Sequence, residues 1–120
     1  MSGNPIDEGA IDRLSEDVGD ERAHGLLRAF MGETQGRMAR ILARAGERNL
    51  SALGDECHTL KGSAGSFGAL AVARQANAIV VACRAGDSAD ALARVDDLRG
   101  LVDAALGALD ARLSSGTGRT

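Results

Sequence analysis

The sequence has few of the residues that usually build β-sheets and aromatic cores. Its 120 residues include no Trp, no Tyr and only two Phe, and a single proline, Pro5, lies near the start. Hydrophobic residues still make up 44% of the chain, so one domain can bury a core without a disulfide staple. The core would consist of Leu, Val, Ile and many Ala, which suits closely packed helices. β-Branched and aromatic residues, which favour strands, are few overall, and no proline after Pro5 interrupts a helix.

Other absences exclude classes of function. The net charge of −3 argues against the clustered basic surface that binds nucleic acid. No apolar run approaches the roughly 18 residues of a membrane span, and the polar N-terminus lacks a signal-peptide core. The two Cys lie 26 positions apart and the two His are also far apart in sequence, which is no metal-ligand pattern, so Cys57 and Cys83 are interpreted as small buried residues. We therefore expect a cytoplasmic protein with no metal, nucleic-acid or membrane partner.

The apolar periodicity predicts five helical segments, at residues 7–18, 21–45, 50–67, 70–84 and 89–113. Candidate N-terminal caps precede four of them: Asn4 or Asp7, Asp20, Asn49 and Ser88. Since the connections are short, the long helices should pack antiparallel. The predicted fold is all-α: an up-down-up-down four-helix bundle, with the short extra N-terminal helix lying across one end as a lid.

The predicted domain spans residues 6–113. Residues 1–5 are expected to be a flexible N-terminus. The Ser/Gly/Thr-rich stretch at 114–120 is expected to be a disordered tail.

One predicted helix carries an unusual histidine. His58 follows Cys57, which lies on the apolar stripe, so it should sit about 100° round the helix at the edge of the buried face. Its helical neighbours include Gly54, Gly62 and Gly65. Each interior glycine costs about 1 kcal/mol relative to alanine, which this chain uses freely elsewhere. The glycines therefore predict an uncrowded imidazole, although Gly54 and Gly65 are equally explained as helix-packing notches.

A lysine lies one turn beyond this histidine. Lys61 is the chain's only Lys among 14 basic residues, and an ammonium is a compact point charge for a phosphate. An exposed imidazole is largely neutral at cytosolic pH, which leaves one ring nitrogen as a nucleophile. Phosphoryl transfer requires mainly positioning and charge neutralisation, which His58 and Lys61 can supply in part. No Gly-rich phosphate loop is present, so no nucleotide site and no independent catalytic activity are expected.

The segment from His58 to Ala69, HTLKGSAGSFGA, resembles the signature of histidine-containing phosphotransfer (HPt) domains. In that family a Lys follows the histidine by three residues, one Gly by four and another by ten. Here these positions are occupied by Lys61, Gly62 and Gly68. The resemblance implies a four-helix bundle that presents the histidine midway along its second helix.

The resemblance also implies a role for each of these residues. His58 would take a phosphoryl group on Nε2 from the aspartyl phosphate of a response-regulator receiver domain and pass it to another receiver, whose Mg²⁺ would assist. Lys61 would balance phosphate charge, Gly62 would give the receiver room, and Gly68 would shape a turn. Gln75, with Asn77 behind it, is the candidate for orienting the imidazole.

Two other functions stay open on the sequence. The chain could be the phosphate-accepting domain of a hybrid or chemotaxis-type histidine kinase, in which an ATP-binding domain phosphorylates His58 directly. Alternatively, it could be a helical adaptor that is never phosphorylated, in which case His58→Gln would leave its function intact. For the carrier we expect a monomer that meets receiver domains, and in some pathways a hybrid kinase, in turn.

Overall fold

A computed structural model describes residues 4–117, with side chains for residues 4–114, and this part of the chain is all-helical, with no β-strand. It contains five α-helices: α1 (Glu8–Val18), α2 (Asp20–Gly46), α3 (Leu50–Ser66), α4 (Leu70–Arg84) and α5 (Ser88–Thr117). No helix within residues 4–117 is both long enough and apolar enough to cross a membrane.

The predicted helix ends agree with the structure to within one residue, except at the end of α5. That helix was predicted to end at Leu113, but it continues to Thr117. Ser and Gly lower helix propensity, yet extending an existing helix is far easier than starting one. Residues 1–3 and 118–120, which belong to the predicted flexible ends, lie outside the described residues.

Two of the predicted caps are one residue out of place. Asp20 is already helical, because the chain turns at Gly19, whose φ of 90° suits glycine. Ser88 is likewise the first residue of α5, and the carboxylate of Asp87 before it accepts a hydrogen bond from the Asp90 N–H at 3.1 Å. The confirmed caps are Asp7 for α1 and Asn49 for α3, each accepting from a backbone N–H of the first turn.

The core lies between the four longer helices and consists mainly of aliphatic side chains. Helices α2 to α5 each contact the next helix along the chain, and α5 also contacts α2, so the contacts close into a ring. The two aromatic rings, Phe30 and Phe67, stack with centroids 4.6 Å apart. The largest fully buried side chains are Leu27, Ile41, Leu53, Leu60, Ile79, Leu98 and Leu109.

Helix α1 packs against α2, and its start is joined to the turn between α3 and α4. The Asp7 N–H donates to the Gly68 carbonyl at 2.8 Å, which joins the start of α1 to the α3–α4 turn. Gly68 has a φ of 79°, and a Cβ there would lie 3.0 Å from the Asp7 carbonyl oxygen, so this turn requires glycine. At the other edge of α1, Arg112 of α5 pairs with Glu8 and Asp12.

Candidate functional site

The imidazole of His58 is exposed on α3. Its predecessor Cys57 is fully buried, as are Leu53, Leu60 and Ala64 on the same inward face. Among the described side chains, no hydrogen-bond or ion-pair partner of His58 is found. The ring is therefore held by the backbone of a rigid helix, and its nitrogens are accessible to an incoming group.

The glycines around His58 fall into two kinds. A Cβ built on Gly62 or Gly65 would meet no other atom within 4 Å, so helix packing does not account for glycine at either position. A Cβ on Gly54 would lie 3.4 Å from the Cβ of Cys83 on α4, which is an ordinary packing contact. Gly54 therefore lies against α4, where a methyl group would still fit at contact distance. Open space on the solvent side of α3 suits Gly62 and Gly65.

Lys61 extends from α3 toward α4. Its Nζ donates to the Oδ1 of Asn77 at 3.2 Å. Because Lys61 lies one helical turn from His58, this hydrogen bond fixes a positive charge on the α4 side of the imidazole. Asn77 is thus a partner of the lysine, rather than a residue placed behind Gln75.

A groove of about 360 Å³ continues the site between α3 and α4. His58 lines it together with Asp55 of α3 and with Val80 and Arg84 of α4. Arg84 of α4 is therefore a second cation near His58, in addition to Lys61 of α3. Neither Val80 nor Arg84 could be predicted as part of this site, because their approach to His58 depends on how α4 packs against α3.

The opposite flank of α3 is closed by ion pairs. Glu56 accepts hydrogen bonds from Arg37 at 2.7 Å and from Arg40 at 3.2 Å, both on α2. The Glu56 and Arg37 side chains are only 20% and 14% exposed. The Glu56 carboxylate therefore joins α3 to α2, and the open side of His58 faces α4.

The expectation that Gln75 orients the imidazole does not fit the structure. The Gln75 Nε2 donates to the backbone carbonyl of Arg94 at 3.0 Å, so its amide faces α5. A half-buried amide needs a hydrogen-bond partner, and here the backbone of α5 provides it. The periodicity of α4 alone does not reveal this contact between helices.

The neighbouring thiols do not compete with His58 as nucleophiles. Burial raises the pKa of Cys57 from 9.0 to about 12, with a smaller contribution from the nearby Cys83 thiol. Burial also raises the pKa of Cys83. Because the thiolate is the reactive form of cysteine, the raised pKa makes both residues less reactive at neutral pH than a free cysteine.

Residues 25–111 match the Hpt domain family. The chain belongs to this family. The match contains α3, α4 and every residue of the His58 site, whereas α1 lies outside it. This Hpt domain is also similar to the phosphorelay protein LuxU of Vibrio cholerae serotype O1 (strain ATCC 39315 / El Tor Inaba N16961). The two are 27% identical over 93 residues, covering 78% of this chain and 82% of LuxU. No solved structure matches the Hpt domain at a significant level.

Proposed function

We propose that this Hpt domain is a phosphocarrier of a two-component phosphorelay, and that His58 is the residue phosphorylated. Family membership supports a role in histidine phosphotransfer. The single observation that carries the assignment is the exposed His58 imidazole, which has no partner among the described side chains and lies one turn from Lys61. A buried or hydrogen-bonded ring would be a structural histidine instead.

The reaction moves one phosphoryl group between two acceptors. The lone pair of His58 Nε2 forms an N–P bond as the P–O bond to a receiver aspartate breaks, and the carboxylate leaves with the bonding electrons. The ring proton stays on Nδ1. The reverse step passes the group to the aspartate of a second receiver. Lys61 offsets part of the phosphate charge, and the receiver supplies Mg²⁺, so the carrier needs no cofactor of its own.

The fold suits a carrier that must present one ring to several partners. We propose that α2 to α5 form an antiparallel up-down-up-down four-helix bundle, capped at one end by α1. The closed ring of helix contacts and the short connections support this arrangement. In such a bundle, the middle of α3 is rigid, and residues 58, 61, 62 and 65 lie together on its solvent side.

The proposal is tested by phosphoryl transfer in a purified system. The full chain is mixed with Mg²⁺ and with each receiver domain encoded in the same genome, phosphorylated beforehand with labelled acetyl phosphate. We expect label to reach the wild-type chain and to be acid-labile and base-stable, as a phosphoramidate is. His58→Gln should abolish labelling without unfolding the protein, because the ring is exposed.

The chain offers a matched control in its other histidine. His24 lies on α2 outside the site, so His24→Gln should be labelled like the wild type. Failure of every receiver to label the wild-type chain would contradict the carrier role. Label retained by His58→Gln but lost in His24→Gln would place the phosphorylation site elsewhere.

A further inference from the structure

The outward face of α4 carries a strip of exposed residues that no other helix covers. These residues follow one another at intervals of four and three, which keeps them on one side of the helix, and all are exposed. We call the set Leu70, Arg74, Asn77, Val81 and Arg84 the α4 strip. Two of the three exposed large hydrophobic residues in the described part of the chain belong to it: Leu70 is 45% exposed and Val81 is 58% exposed.

Val81 lies next to the histidine site rather than at a distance from it. Its two neighbours on the strip are Asn77, one turn before, and Arg84, one turn after. Asn77 binds Lys61, and Arg84 lines the groove that contains His58. A protein surface that covers His58 from the α4 side must therefore also cover Val81.

The charge of the strip indicates what kind of surface would cover it. Helix α4 contains two arginines and no acidic residue, whereas α1 contains four acidic residues and one arginine. Neither Arg74 nor Arg84 forms an ion pair with any described side chain. A second copy of this chain would bring together two strips that each carry two arginines, on helices without an acidic residue, and the like charges would repel. A carboxylate-rich surface complements the strip instead.

On these grounds, and resting on the proposed function, we propose that the receiver domain docks on the α4 strip, with Val81 as its apolar anchor. The phosphorylation site of a receiver is built around a carboxylate, so its surroundings suit a face that carries Arg84. The α2 flank of His58 is occupied by the ion pairs of Glu56 and presents no comparable apolar residue. A residue that becomes buried at the centre of an interface contributes far more to the binding free energy than residues at the rim of the interface do.

Val81→Asp tests this docking surface. Transfer is measured as a function of receiver concentration, using the receiver that labels the wild-type chain fastest. We expect the apparent KM to rise at least tenfold while the maximal rate stays within about twofold, because docking is weakened and the chemistry is not. Arg84→Gln should raise the apparent KM less and should reduce its dependence on salt, as expected of a rim charge.

Leu26→Asp is the matched control, since Leu26 is 40% exposed and lies on α2. It should leave KM unchanged, and circular dichroism should report the same helix content in all variants. If Val81→Asp transfers like the wild type, lowers only the maximal rate, or is matched by Leu26→Asp, the docking proposal is overturned. The carrier role would still stand, because it depends on labelling of the wild type and its loss in His58→Gln.

Discussion

Two glycines within ten residues of His58, Gly62 and Gly68, have different surroundings. Gly68 belongs to the fold, because its positive φ and its contact with Asp7 leave no room for a side chain. Gly62 has neither constraint: it is helical, exposed and surrounded by open space. A helix interior normally prefers any other ordinary residue there, and we propose that Gly62 leaves room for a partner that comes close to the backbone.

This explanation predicts that Gly62→Gln slows transfer without weakening the fold. A Cβ at this exposed position meets no other atom within 4 Å in the free protein, and the better helix propensity should raise the free energy of unfolding by up to about 1 kcal/mol. In the complex it would occupy the space that the receiver needs, so we expect transfer to fall at least tenfold. Denaturant unfolding and labelling rates measure the two effects separately.

Gly100→Gln provides the comparison for this prediction. Gly100 is an exposed helical glycine of α5 whose Cβ would also meet nothing within 4 Å. It should gain similar stability and keep the wild-type transfer rate. A Gly62→Gln protein that transfers normally would mean that the receiver does not approach this part of α3.

At the scale of the helices, the ion pairs of Glu56 with α2 cover one side of α3 and leave the α4 side of His58 open. Arg37 and Glu56 are mostly buried and lie 2.7 Å apart, unlike the exposed pairs elsewhere on the surface. We expect a double-mutant cycle of Arg37→Ala and Glu56→Ala to give a coupling free energy above about 1 kcal/mol, since exposed pairs typically give about 0.2–1 kcal/mol. Denaturant unfolding of the four proteins provides the measurement.

The control cycle uses Arg44 and Glu47, which are 35% and 52% exposed and lie 3.3 Å apart near the end of α2. Their coupling should stay below about 0.5 kcal/mol and should be more sensitive to salt. Equal couplings in the two cycles would show that the Glu56 contacts do not join α2 to α3 more strongly than a surface pair does.

Individual helices could be predicted from the sequence because the signals are local. The apolar stripe of α3, the Asn49 cap and the turn at Gly68 each depend on residues close together in the chain. What could not be predicted depends on contacts between helices. Gln75 binds a carbonyl of α5, and Glu56 binds an arginine of α2. The periodicity of the helices that carry Gln75 and Glu56 does not indicate either contact. The same reason explains why Arg84 could not be placed beside His58.

In the whole molecule, helix α1 and His58 lie at different positions along the length of α3. Eight residues of α3 separate His58 from Ser66 at the end of the helix, which corresponds to about 12 Å along the helix axis, and Gly68 follows in the turn. Helix α1 attaches at the Gly68 end and is outside the segment that matches the Hpt domain family. The lid should therefore contribute to stability, and the transfer chemistry should be independent of it.

Ile11→Ala tests this separation. Ile11 is the one buried residue of α1 and is 2% exposed, so truncating it should lower the free energy of unfolding by about 2–5 kcal/mol. Transfer should be measured at a temperature where circular dichroism shows the variant still folded, and there its rate should stay within about twofold of the wild type. A slower rate in the folded variant would mean that α1 is coupled to the receiver-binding face. An unchanged rate with a lower unfolding midpoint would assign the lid to stability alone, because no residue of α1 contacts the His58 groove.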